Sequence, residues 1–167
     1  MKEIFAGAVF LLATSSALAL DGISGEIGSG TRQVDMYRVS AQWKQRQPRW
    51  LEGTRFSVYW DASVGSWDGD LGGLVDLGIT PVLRYGELHG PYVDGGIGLH
   101  YLSDTHVTSA IEFSTKFQFG DHIGAGWRFD RYDFSLRLQH LSNAGIKNPN
   151  PGINFLQLRI QYWLDKP

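Results

Sequence analysis

Leu156-Gln157-Leu158-Arg159-Ile160-Gln161-Tyr162-Trp163-Leu164 alternates in character along its length. Leu156, Leu158, Ile160, Tyr162 and Leu164 share one parity, and Gln157, Arg159 and Gln161 share the other. Successive residues of a strand point to opposite faces, so this segment has one oily face and one polar face. Three earlier segments read the same way. Tyr37, Val39, Ala41 and Trp43 oppose Arg38, Ser40, Gln42 and Lys44, while Phe56, Val58, Trp60, Ala62 and Val64 oppose Arg55, Ser57, Tyr59, Asp61 and Ser63. Val75, Leu77, Ile79, Leu83 and Tyr85 oppose Asp76, Thr80 and Arg84. Eight strands are predicted in all, over residues 22–29, 34–44, 55–65, 74–85, 92–102, 120–129, 133–142 and 153–164, separated by turn residues spaced too closely for helices.

Two closed architectures fit such alternation. A soluble calyx turns its apolar face inward around a ligand, whereas an outer-membrane barrel turns it toward lipid and fills a narrow lumen with polar side chains. Strands of about 10–12 residues match a tilted membrane crossing. Trp43, Tyr85, Tyr101 and Phe129 fall at strand ends, where aromatic girdles meet the two interfaces. The N-terminus agrees: Lys2, an apolar run from Ile4 to Leu12, then Ala17-Leu18-Ala19 reads as a secretory signal cut after Ala19. The fold expected is therefore all-β, an eight-stranded antiparallel outer-membrane β-barrel, with residues 1–19 as signal peptide and 20–167 as the barrel domain. Arg38, Asp61, Arg84, Asp94, Arg137 and Arg159 then face a lumen too narrow for transport and are expected to pair into a plug.

Composition closes off other classes. Of 167 residues, 15 are Lys or Arg and 17 Asp or Glu, a formal net charge of −2 that argues against nucleic acid as a partner. No cysteine is present, so disulfides, thiolate metal sites and cysteine nucleophiles are excluded together. His89, His100, His106 and His122 are scattered without ligand spacing, and no loop gathers enough carboxylates for calcium, so neither metal nor cofactor is expected.

With both termini on the periplasmic side, the seventh strand ends at the cell exterior and the turn 143–152 lies there. Inner turns are expected to be short. Residues 45–54 break that rule, and the sequence offers no account of them. The outer connection 103–118 is long enough to control access.

The seventh strand carries the chemistry. In Phe134-Ser135-Leu136-Arg137-Leu138-Gln139-His140-Leu141-Ser142, the parity of Phe134, Leu136 and Leu138 also carries His140 and Ser142. Residues i and i+2 lie ~6.8 Å apart on one face, close enough for an imidazole to reach a hydroxyl. A bare His-x-Ser more often merely marks a strand end at the headgroup level, where a polar residue costs little.

The following residues bear on that choice. His140-Leu141-Ser142-Asn143-Ala144-Gly145, continuing Ile146-Lys147-Asn148-Pro149-Asn150-Pro151-Gly152-Ile153, resembles the signature of the lipid A 3-O-deacylases of the PagL family. The likeness extends less sharply to the eight-stranded plan, including Phe119-Gly120-Asp121-His122-Ile123-Gly124-Ala125-Gly126. The resemblance implies an outer-membrane carboxylic ester hydrolase that removes the 3-O-linked acyl chain of lipid A, with lipopolysaccharide as substrate and its site toward the outer leaflet. It further implies Ser142 as nucleophile, His140 as general base, and Asn143, Gly145 and Asn150 as the stretch shaping the oxyanion site.

One position departs from the family. Its acidic residue aligns with Asn154, fourteen residues after His140. An amide accepts the imidazole N–H but offers no charge to the imidazolium, and carboxylate-to-amide replacement costs a Ser-His-Asp enzyme ~10⁴ in kcat. Outer-membrane phospholipase A is similar in local spacing and completes its His-x-Ser pair with an asparagine, so Asn154 is expected to orient His140. Two alternatives stay open: a phospholipase-type esterase on the same barrel, and a catalytically impaired structural barrel. The sequence leaves the oligomeric state open, a homodimer included.

Overall fold

In a computed structural model, which describes residues 19–87 and 89–164, eight antiparallel strands close into a barrel. They are β1 (Gly22–Gly30), β2 (Val34–Lys44), β3 (Phe56–Gly69), β4 (Gly72–Gly86), β5 (Gly90–Leu102), β8 (Phe117–Phe129), β9 (Tyr132–Ser142) and β10 (Ile153–Trp163). A short hairpin, β6 (His106–Thr108) and β7 (Ile111–Glu112), lies outside the ladder in the connection from β5 to β8. β1 pairs with β10 from Gly22↔Trp163 to Gly30↔Phe155, so no edge is left. Apart from Ala19, the expected signal peptide lies outside the described residues.

Alternation sorts the side chains as a membrane requires. Ile27, Val39, Leu77, Leu83, Leu136, Leu138, Leu156, Leu158 and Ile160 are exposed on the outer wall. Tyr85, Tyr101 and Phe129 are exposed at strand ends, with Trp43 half-buried. Buried charges among the described residues are five arginines (38, 84, 128, 137, 159) and five carboxylates (26, 61, 76, 94, 133). All six residues expected in a plug are among them. Arg38 bonds Asp76 at 2.8 Å, Arg137 bonds Asp94 at 3.0 Å, and Arg159 bonds Asp61 at 2.6 Å and also Glu26. Arg84 bridges Asp94 at 3.2 Å and Asp133. The balance matters because a buried charge is tolerated only when paired and hydrogen-bonded.

The barrel differs from the sequence expectation at one end, opposite the chain termini. There β3 runs to Gly69 and β8 begins at Phe117, beyond the predicted 65 and 120. Val34, Met36, Trp67, Leu74, Leu102, Leu141, Ile153 and Phe155 point inward and, with Val107, Ile111 and Phe113 of the β5–β8 connection, form an apolar cluster that closes the lumen. Asp35 and Asp68, opposite one another, point outward. The pattern thus inverts where the wall leaves lipid for water: apolar side chains turn in and polar ones turn out. Predicting strands from a lipid-facing stripe stops where the stripe stops, although the ladder continues.

The β6–β7 hairpin is tied down from several directions. Arg32 donates to Ala110 O, and Ser109 donates its hydroxyl and its N–H to Asp70 at 2.6 and 2.9 Å. The two bonds hold the Asp70 carboxyl below the usual carboxylate range. At the other end, residues 45–55 are folded rather than slack: a 3-10 turn at Arg49–Leu51 buries Leu51, and Thr54 Oγ1 donates to Leu51 O at 2.7 Å. This accounts for a connection too long for a simple turn.

Candidate active site

β9 ends at the inverted end of the barrel and presents His140 and Ser142 on its outer face. Across the ladder, Asn154 of β10 is the direct partner of His140. His140 Nδ1 donates to Asn154 Oδ1 at 2.8 Å, which fixes the ring and leaves Nε2 as the basic nitrogen. Asn154 is itself anchored, since Thr31 N donates to its carbonyl at 2.9 Å and its own N–H reaches Thr31 Oγ1 at 3.4 Å.

Ser142 shares the face of His140. No hydrogen bond joins them among the described residues; Ser142 Oγ instead accepts from Ala144 N at 3.4 Å. Such bonds are often long before substrate binds.

The loop 143–152 is built on Asn143, whose buried side chain spends both ends on structure. Its Oδ1 accepts from Gly145 N at 2.9 Å, and its Nδ2 donates to Lys147 O at 2.7 Å and to Ser114 Oγ at 2.9 Å. Ser114 Oγ also donates to Lys147 O at 2.8 Å, so the β5–β8 connection braces this loop. Asn143 N donates to Asn150 Oδ1 at 3.0 Å. The backbone N–H groups of Asn143 and Gly145 are therefore already used, whereas Asn150 Nδ2 is uncommitted among the described residues.

Gly152 adjoins the candidate site and was passed over in the sequence reading. Its φ of +62° belongs to the left-handed region, and a Cβ there would lie 2.7 Å from His140 Cε1. Its place just before a strand is the sequence signal that could have found it. Gly152→Ala is expected to push the imidazole off Asn154 and lower kcat by about 100-fold, the usual cost of an ångström-scale misplacement. The barrel should still show heat-modifiable migration on gels, and a rate within two-fold of the parent would refute the packing role. Of the remaining histidines, His100 is buried on Asp76 at 2.8 Å, and His106 sits between Asp104 and Glu112 in the outer hairpin.

A closed eight-stranded barrel with an oily wall and a charge-paired lumen defines an outer-membrane β-barrel, and a His–Asn pair beside an outward serine is a candidate hydrolytic site on its outer wall. Comparison with known proteins gives the family. The model of the family described as "Lipid A 3-O-deacylase (PagL)" matches residues 35–163, and the chain belongs to that family. It is 34% identical to the lipid A deacylase PagL of Pseudomonas aeruginosa, over 95% of this chain and 96% of that one. It is 40% identical to the Bordetella bronchiseptica protein of the same name, over 68% of this chain and 56% of that one. Among solved structures, the outer-membrane enzyme PagL superposes with a TM-score of 0.76 at 30% identity, covering 84% of this chain and 98% of that chain. A designed transmembrane β-barrel superposes at 0.60 with 12% identity, covering 90% and 100%, which reflects the fold alone.

Proposed function

We propose that this barrel, with its leader removed after Ala19, hydrolyses the 3-O-linked acyl ester of lipid A in the outer leaflet through an acyl-enzyme on Ser142. The observation that carries the reading is the 2.8 Å bond from His140 to Asn154 on the outer wall beside Ser142. In this reading, His140 Nε2 takes the Ser142 proton as Oγ attacks the ester carbonyl carbon. Asn150 Nδ2 donates to the developing oxyanion, an interaction worth about 3–4 kcal/mol. Collapse breaks the bond to the glucosamine 3-oxygen, which leaves with the proton from His140. Water, deprotonated by the same nitrogen, then releases a 3-hydroxy fatty acid and restores Ser142.

The alternative of a non-catalytic barrel rests on the amide at position 154. The hydrogen bond supports the orienting role, because an amide oxygen fixes the same tautomer a carboxylate would. Incubating the detergent-purified barrel with lipid A and following the products by mass spectrometry tests the reading. Loss of one 3-hydroxyacyl chain is expected, and a fluorophosphonate probe should add its mass to the peptide holding Ser142. Intact lipid A with no labelled serine would favour the structural barrel. Cleavage of phospholipid instead of lipid A would favour the phospholipase.

A further inference from the structure

The ladder places a carboxylate beside the histidine on the side away from Asn154. Asp121 of β8 is the direct cross-strand partner of His140, so Asp121, His140 and Asn154 form one row across β8, β9 and β10. Asp121 is exposed on the outer wall, and the three residues line one shallow groove with Thr31, Ile123 and Leu138.

Its other surroundings give this carboxylate little reason to be there. On β5 its partner is Ile97, 68% exposed, and the next outward residue along β8 is Ile123, 66% exposed. The row stands at the border between the apolar wall and the inverted end, and an ionisable group flanked there by outward isoleucines is a candidate functional residue. The other outward carboxylates on barrel strands, Asp35 and Asp68, sit at strand ends beside the turns 31–33 and 70–71, where water solvates them. Asp121 lies four residues inside β8, level with His140.

Resting on the Ser-His reading above, we propose that Asp121 is a positioning residue that supplies the negative charge facing His140 when the imidazole is protonated. Asn154 holds the ring and Asp121 supplies the charge, so two residues share what one carboxylate does in a Ser-His-Asp set. No salt bridge or hydrogen bond links Asp121 to His140 among the described residues, so the effect acts through space. Directly opposed side chains lie ~5 Å apart, within the range where opposite charges stabilise one another, and Nε2 stays free for Ser142.

The isosteric Asp121→Asn removes the charge alone. We expect kcat on lipid A to fall by about 10-fold or more with KM within two-fold, and Asp121→Glu to recover most of the rate. In an Asn154→Asp background the same Asp121→Asn change should cost far less, because a second carboxylate then faces the ring. Asn154→Asp by itself should raise kcat only a few-fold. An unchanged kcat in Asp121→Asn, an equal cost in both backgrounds, or a gain approaching ~10³-fold in Asn154→Asp alone would overturn the proposal. Ser142→Ala, run alongside, separates the two readings: full activity there removes the Ser-His mechanism itself, whereas an inert Ser142→Ala beside an unaffected Asp121→Asn removes only the role of Asp121.

Discussion

Ser142→Ala should lower the rate of 3-hydroxyacyl release from lipid A by on the order of 10⁶-fold, with KM close to that of the parent. His140→Ala should fall to a similar level, and the double variant no further. In the proposed mechanism nucleophile and base act as one unit, so once either is missing no acyl-enzyme forms and the second loss removes nothing more. What remains is the oxyanion donor and the binding surface, which by themselves hold a residual rate above water. Single-turnover release measured by mass spectrometry on the two single variants and the double variant checks this. Losses that multiply would mean that His140 and Ser142 act independently, and the His-x-Ser pair would then be a strand-end feature and not a catalytic one.

The next largest effect is expected in the lumen. Arg137 has a side chain only 4% exposed, and its Nη2 donates to Asp94 and to the Tyr59 hydroxyl, each at 3.0 Å, with Glu26 at 3.8 Å. Arg137→Ala removes one member of a balanced set and leaves Asp94 with Arg84 as its remaining arginine partner. A buried pair broken on one side costs about 3–5 kcal/mol, because the surviving charge keeps its desolvation penalty and loses its compensation. Urea unfolding in lipid vesicles should show that loss. Arg137→Met combined with Asp94→Leu should cost less than Arg137→Ala alone, since removing both charges removes the penalty as well. A loss below about 1 kcal/mol in Arg137→Ala would show that water enters the lumen and solvates the carboxylates. Arg137 lies three residues before His140 on β9, so activity should fall with stability in this variant.

The membrane makes much of this legible. Lipid on one side and a narrow closed lumen on the other force a period of two, and Leu156, Leu158 and Ile160 against Gln157, Arg159 and Gln161 state it without reference to any other strand. The same rule put Arg38, Asp61, Arg84, Asp94, Arg137 and Arg159 inside. It failed where its cause ends. Beyond the lipid the wall meets water, so Trp67 and Met36 turn inward, and a stripe of outward apolar residues no longer marks the strand. The turn at Arg49–Leu51 was illegible for a related reason: Leu51 is one apolar residue in a polar stretch, and its burial depends on where the strand ends converge.

At the site, His140 and Ser142 share a face because they are two residues apart on one strand, and local geometry alone determines that. Asn154 carries the outward parity of Leu156 and Leu158, but parity does not say which strand stands opposite or at which level. Pairing Asn154 with His140 on one side and Asp121 with His140 on the other required the closed ladder, as did the finding that a side chain at position 152 would run into the imidazole ring. Period and parity are properties of consecutive residues, so the barrel, its lipid face and its charged interior are legible from the chain alone. Register between strands comes from hydrogen bonds summed around the whole barrel, so the groups on either side of His140 emerge only in the closed fold.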